Sequence, residues 1–441
     1  MFTPETMKKG TAKPPCYCAY LLLLVAETIR LGNGLSHIHK VFPAAQVEVY
    51  TENSVLLCYV KAEDVKFVKV GPDSTNDVVD AAIGRFQSSL RYFPDFKEDY
   101  KENPLNLELT PLQRVEIHVL SNETKLDDET DESYGISIDD SSVATLTSAT
   151  IFGAVRALQT LRQLLEFGWM SQSASRAGDG SAIFVIPSIP IYIADSPSFS
   201  YRGLMIDTAR HYLPMNLILH NLDAMEMNKL NVLHWHITDS QSFPYQTQSY
   251  PELAEKGAYH PKLIYTTSDI MLVVHEAYLR GIRVIPELDL PGHSNAIGKA
   301  RPDLLAHCPD PSEPVDPTNP EVYDFVETIY RDLSDIFPDS YVHVGGDEVN
   351  FDCWNNTKSI REWMEKNNVS TTVELYEYFE TRLLHIVSDK LSKTPIVWQE
   401  VFNLNLTMSD RTIVDVWKGF DKNTVEQATK QSHRVILSGC W

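Results

Sequence analysis

Seven apolar runs alternating with amphipathic helices, polar residues gathered at the ends of those runs, and a mixed pattern ahead of them predict an α/β fold. The architecture expected is a (β/α)8 TIM-type barrel lacking its last strand, preceded by a small α+β domain. In the first domain, residues 46–195, short β-type runs such as Val115-Glu116-Ile117-His118-Val119-Leu120 accompany one strong helix. That helix is read from Ile151, Val155, Leu158, Leu161 and Leu165 at helical spacing. Asp195-Ser196-Pro197-Ser198-Phe199-Ser200 is rich in turn formers and marks the boundary.

The barrel region, residues 199–441, contains runs at 203–207, 232–239, 284–289, 341–347, 396–400, 413–417 and 435–441. Strands alternating with helices are the form of βα units around a parallel sheet. One helix opens at Pro214 with Met215, Ile218, Leu222 and Met225 inward; another turns Tyr376, Phe379, Leu383 and Ile386 inward. A doubly wound open sheet is the alternative, but no Gly-rich phosphate loop follows the first run. The sequence stops at Trp441, in or just after the seventh run. An unclosed barrel leaves two edge strands with unpaired backbone groups, so the expectation is a fragment of a longer product.

Composition narrows the function. The 441 residues are 43% hydrophobic, as in a globular protein, and the length suits two domains. Thirty-eight basic against 60 acidic residues give a formal charge of -22, which argues against a nucleic-acid partner and favours a neutral substrate. Lys8, Lys9 and Lys13 precede an apolar stretch at 19–26, the arrangement of a secretory signal peptide over 1–28 and too short for a transmembrane segment. Six cysteines are few for a disulfide scaffold, and Cys16 and Cys18 would leave with the signal. Cys308 and Cys353 each follow an apolar run in a polar loop and are the candidate pair in an oxidising compartment; Cys58 and Cys440 have no evident partner. Sequons at Asn122, Asn355, Asn368 and Asn405 fit secretion, although chance supplies nearly as many.

The densest chemical signal is His343-Val344-Gly345-Gly346-Asp347-Glu348. Along a regular strand neighbouring side chains face opposite ways, so two adjacent acids could not share a substrate. Two glycines lift that restriction by admitting backbone angles closed to other residues, and Asp347 and Glu348 can splay into one pocket. Alone, the hexapeptide is also readable as an acidic surface turn.

Its neighbours decide. Tyr201-Arg202-Gly203-Leu204-Met205-Ile206-Asp207, His234-Trp235-His236-Ile237-Thr238-Asp239, Pro286-Glu287-Leu288-Asp289-Leu290-Pro291-Gly292-His293, the hexapeptide, and Val397-Trp398-Gln399-Glu400, in this order, resemble the β-N-acetylhexosaminidases of glycoside hydrolase family twenty. The resemblance covers the chain from about residue 198 to its end, more loosely from residue 79, and is nearest to the lysosomal and secreted eukaryotic type. It implies retaining removal of terminal β-linked N-acetylglucosamine or N-acetylgalactosamine from oligosaccharides or glycoconjugates. No enzyme nucleophile is implied: the substrate's acetamido oxygen closes on the anomeric carbon. Adjacent residues on one strand are poorly placed to flank that carbon from both faces, as the usual retaining pair does at about 5 Å separation.

Carried over residue by residue, Glu348 is the general acid and then the base. Asp347 holds the acetamido N–H and stabilises the oxazolinium charge. Arg202 grips the sugar's 3- and 4-hydroxyls, Asp239 and His293 orient the acid, Trp398 and Trp417 wall the N-acetyl pocket, and Glu400 gives polar support. An acid that must donate beside an ionised neighbour implies an acidic working range. Each residue has a bland reading as surface charge or core aromatic, weakened because all fall at strand ends in the family's order.

No cofactor or metal is expected. His234 and His236 share a strand face but lack a third ligand at zinc spacing, and His275-Glu276 lacks the second histidine of a zincin helix. The resemblance also implies a Tyr and a neighbouring polar contact after the seventh strand, and a Trp-x-Glu from the eighth; the sequence ends before them. Little or no activity is therefore expected of this polypeptide alone. Two rivals remain: a silent carbohydrate-binding relative, and a hydrolase of another sugar with Asp347 as nucleophile. Many relatives dimerise, which makes a homodimer the assembly to test, and the expected destination is the lysosome or the extracellular space.

Overall fold

The computed structural model describes residues 42–43, 46–50, 56–61, 64–71, 76–91, 109–170, 181–308, 313–419 and 421–439. The expected signal segment, Cys16, Cys18, Cys440 and Trp441 lie outside the described residues.

In the first domain, helix Ile151–Gln163 starts where Thr150, in an extended conformation, accepts the Gly153 amide proton at 3.3 Å and so satisfies a free first-turn donor. Ile151, Val155, Leu158 and Leu161 are buried as their spacing predicts; Leu165 is buried too, just beyond the helix end. With helix Asp77–Ser89 it packs on a six-stranded mixed sheet, in spatial order Val47–Tyr50, Ile191–Asp195, Tyr134–Ile138, Val143–Ser148, Arg114–Val119 and Lys66–Val70. A second sheet joins Leu109–Pro111, Leu56–Val60, Ser181–Ile189 and Glu166–Met170.

The second domain is a curled parallel sheet in sequence order: Gly203–Asp207, Val232–Thr238, Arg283–Leu288, Tyr341–Gly345, Thr394–Trp398, Ile413–Val416 and Val435–Leu437. The five inner strands are buried at every position, because helices cover one face and the barrel interior the other. The first and seventh strands are edges among the described residues, and Met205 and Leu437 are exposed there. Each of the seven predicted runs becomes a strand, ending one to four residues earlier than read wherever the end differs. Among the residues trimmed from the strand ends are Asp239, Asp289, Asp347, Glu400 and Trp417. The pairing register slips between His236 and Thr238 and again between His343 and Gly345, irregularities that re-aim side chains at the mouth.

Cys308 and Cys353 form a disulfide that ties the loop after the third strand to helix Phe351–Asn356, which begins just past Glu348; Cys58 is buried and free. Among the described residues no helix is long and apolar enough to cross a membrane.

The domains meet through buried charge. Glu132 accepts Arg156 Nε at 2.7 Å, both its oxygens lie within 2.9 Å of Arg202 Nη2, and Asn231 Nδ2 donates to it at 3.1 Å. Arg85 grips Glu226 with two bonds of 2.7 Å.

Candidate active site

The fourth strand delivers its acids through a strained turn. Gly345 and Gly346 take φ of +77° and +101°, and Glu348 follows at +51°, a region that non-glycine residues occupy at a cost of about 1–3 kcal/mol. Side chains at the glycines are excluded for a second reason. A Cβ on Gly345 would stand 1.8 Å from Asp289 Oδ1, and one on Gly346 would stand 2.5 Å from Val401 Cγ2. The turn is held from both sides: the Gly346 amide donates to Asp289 Oδ1 at 2.9 Å, and the Tyr376 hydroxyl donates to the Gly346 carbonyl.

The two acids face one place. A carboxylate oxygen of Asp347, one of Glu348 and a ring nitrogen of His293 all lie within 4.8 Å of one another. His293 Nε2 is 3.5 Å from Asp347 and 3.8 Å from Glu348. Asp347 is almost wholly buried, whereas the Glu348 side chain is 57% exposed and reaches into the mouth. His293 itself sits at φ +48°, a second strained residue at the same spot.

Behind His293 stands Asp239, 3.3 Å from its Nδ1, and Asp239 in turn meets His236 Nε2 at 2.8 Å and Arg210 Nη2 at 2.7 Å. Burial alone would raise the Asp239 carboxyl; the hydrogen bonds from His236 and His293 reverse that and hold it well below the usual range. Burial lowers His293, but Asp239 and Asp347 outweigh it and raise the imidazole above its ordinary value. Asp289 is driven well up by burial and by the Asp347 charge beside it, and Asp347 in turn is raised by burial.

Across the mouth Trp398 and Trp417 meet edge to face with ring centres 6.3 Å apart. Trp417 Nε1 donates to Glu400 at 3.1 Å, Lys418 pairs with the other Glu400 oxygen at 2.6 Å, and Gln399 Oε1 accepts the Trp417 and Lys418 amides. Of the residues read from sequence, Asp239, His293, Asp347, Glu348, Trp398, Trp417 and Glu400 all belong to the strand ends at this mouth.

Arg202 does not, and its predicted sugar contact is corrected. It precedes the first strand and so lies at the opposite end of the sheet, with its guanidinium consumed by Glu132, the Lys229 carbonyl and the Phe199 carbonyl. Arg210, which the sequence reading passed over, follows that strand, pairs with Asp207 and Asp239 and keeps 36% of its side chain exposed. Strand polarity was the available signal: in a parallel barrel the chemistry gathers where strands end. Asp289, His343 and Tyr376 were also missed as site residues, since each was read as motif filler or core.

His234, Glu287 and His343 come close enough to hold a cation, which the sequence spacing had not brought together. The Glu287 oxygens are already taken by N–H donors, from His234 and His236 at 2.7 Å each and from Trp398 at 2.8 Å.

A curled parallel sheet whose mouth carries two converging carboxyls backed by a histidine–aspartate pair is a setting for acid–base chemistry. Residues 199–440 match the catalytic domain of glycosyl hydrolase family 20, and residues 41–164 match the domain described as beta-acetyl hexosaminidase like. The chain belongs to glycosyl hydrolase family 20. It is 41% identical over 318 residues to human beta-hexosaminidase subunit beta, covering 70% of this chain and 55% of that one. It is 37% identical over 381 residues to the rat subunit alpha, covering 82% and 68%. The chain thus spans little more than half the length of the human relative. A chitobiase from Flavobacterium johnsoniae superposes with a TM-score of 0.74 at 27% identity, over 91% of this chain and 59% of that one.

Proposed function

We propose that the chain is the catalytic framework of a β-N-acetylhexosaminidase that removes terminal, non-reducing β-linked N-acetylglucosamine or N-acetylgalactosamine with retention, by substrate assistance. The observation that carries this is the convergence of Asp347, Glu348 and His293 beyond the double-glycine turn. One acid is exposed enough to meet a leaving oxygen; the other is buried where it can take an amide N–H. Glu348 protonates the leaving oxygen and then activates water. Asp347 orients the acetamido group and balances the oxazolinium charge, kept in line by His293 and Asp239. Trp398 and Trp417 enclose the acetyl methyl, and Arg210 takes the hydroxyl-gripping role that Arg202 cannot reach.

Passage through the secretory pathway to a lysosome or the cell exterior fits the disulfide and the exposed positions of Asn122, Asn355, Asn368 and Asn405. The names of the relatives, which are beta-hexosaminidase subunits, support the substrate class.

The test compares a fluorogenic N-acetyl-β-glucosaminide with the plain glucoside and measures binding of N-acetylglucosamine-thiazoline, a mimic of the cyclic intermediate. In an enzyme that carries this chain together with the strand-seven and strand-eight residues the resemblance implies, hydrolysis confined to the N-acetyl substrate and lowered about 10²–10⁴-fold in Glu348→Gln is expected. Equal cleavage of both sugars would replace this reading with direct attack by Asp347, and thiazoline binding without turnover would make the chain a binding relative.

A further inference from the structure

Glu287, fully buried in the third barrel strand, is a carboxylate that the proposed reaction leaves unused. Four groups converge on it, His234 and His236 at 2.7 Å each, the Trp398 indole at 2.8 Å and His343 at 3.3 Å, and three of them lead on to functional elements. Through His236, whose other nitrogen is 2.8 Å from Asp239, it reaches His293 and the acid pair. Through the Trp398 indole N–H it fixes a pocket wall. The third of these is His343 Nδ1 at 3.3 Å, the atom that accepts the Gly345 amide at 3.1 Å and so holds the start of the double-glycine turn.

Charge states follow from the same contacts. Burial lowers His236, but Glu287 and Asp239 face it from either side and push it up to about 10, so it is an imidazolium between two carboxylates. The other groups around it are Asp207 and Arg210. His343, buried and beside two other histidines, is pushed down to about 4 and stays neutral, which leaves its Nδ1 free to accept from Gly345.

We propose that Glu287 is the positioning residue of the site: one carboxylate that aligns the His236–Asp239–His293 chain behind the acids and pins the Trp398 wall, so that the acid side and the acetyl side of the pocket keep a fixed relation. The proposal rests on the hydrolase reading for its functional meaning and on the contacts alone for its physical content.

Glu287→Gln keeps the shape but replaces one acceptor oxygen with an NH2 group that cannot accept from His234, His236 or the Trp398 indole. In the full chain, histidine ¹³Cε1 resonances followed against pH would show His236 falling from about 10 toward the ordinary 6.5, with the His293 titration moving in concert. Thiazoline affinity, read by tryptophan fluorescence, would weaken about tenfold or more. Asp339→Asn is the control: it breaks the buried Arg283–Asp339 pair at the other end of the same strand, and should lower Tm without moving His293 or the affinity. If Glu287→Gln lowers Tm yet leaves the His293 titration and the thiazoline affinity as in the parent, the carboxylate is structural and the proposal is wrong. If the parent chain binds no thiazoline, the hydrolase reading fails, while coupling between Glu287 and His293 is still decided by the titration. Should Glu287→Gln not fold, Glu287→Asp retains the charge and withdraws the reach. It is expected to keep His236 protonated but release the Trp398 indole resonance, and an unmoved indole overturns the proposal.

Discussion

Two arginines at opposite ends of one strand separate what the sequence told from what it could not. Arg202 stands in a motif beside a glycine and was assigned to the sugar, yet its side chain is locked to Glu132 and two carbonyls beneath the barrel. Arg210 sits where the strand ends, with donors toward Asp207 and Asp239 and part of its side chain open to solvent. The placement of Asp239, Asp347 and Trp417 at the mouth was legible because their runs end in them, with Glu348 and Trp398 beside such ends; that of the arginines was not, because a motif carries no strand polarity until the strand's limits are known. Arg210→Ala should weaken thiazoline binding by about 1.5–3 kcal/mol, the worth of hydrogen bonds from a charged donor, with little change in Tm. Arg202→Ala should do the reverse, lowering stability by about 3–5 kcal/mol as a broken buried pair does and leaving affinity nearly intact. Isothermal titration and thermal melts on both variants check this, and an affinity loss confined to Arg202→Ala would restore the first assignment.

Helix Thr372–His385 carries the same lesson for an element. Its inward face was legible from Tyr376, Phe379 and Leu383, all fully buried, and Ile386, buried too, opens the π-helical segment that follows. What periodicity could not show is that Tyr376 also holds the Gly346 carbonyl, or that Glu380, one turn on, shares that buried face. A glutamate on a helix is read as solvent-facing by default. Among the described residues both Glu380 carboxyl oxygens are buried without a hydrogen bond, close to Tyr376 and Gly346. Burial pushes the carboxyl up to about 8 from the usual 4.5, against a smaller opposing pull from Tyr376. The folded state therefore keeps a proton that the unfolded chain releases, so this residue makes stability fall as pH rises from about 4.5 to about 8. Glu380→Gln should remove that slope. Its Tm advantage over the parent would be largest near pH 8 and smallest near pH 4.5, and an advantage independent of pH would show that Glu380 is not buried as a neutral acid.

For the whole molecule, the division into two domains was visible in the turn-rich boundary and the change of pattern, but the joint between them was not. Charges brought together from distant parts of the chain leave no local signature. At that joint Glu132, from the first domain, serves Arg156 of its own domain and Arg202 and Asn231 of the barrel, and Arg156 continues to the Gly281 carbonyl at 2.7 Å. Burial alone would raise Glu132, but the two guanidinium charges hold its carboxyl below the usual value. A depressed carboxyl contributes stability that is present above its unfolded value, 4.5, and is lost as pH falls through the folded one. Glu132→Gln would leave two buried arginines without their counter-charge, at a cost of about 3–5 kcal/mol near neutral pH. Because the joint rather than either core is weakened, urea unfolding of the variant should split into two transitions, the first reported by loss of first-domain signals while the Trp398 and Trp417 emission still reads a folded barrel mouth. The gap between parent and variant should narrow on acidification below about 4.5, since protonation removes the same charge from the parent. A single transition at the parent's midpoint across this range would mean that the domains are held by their apolar contacts and that the buried triad is energetically neutral.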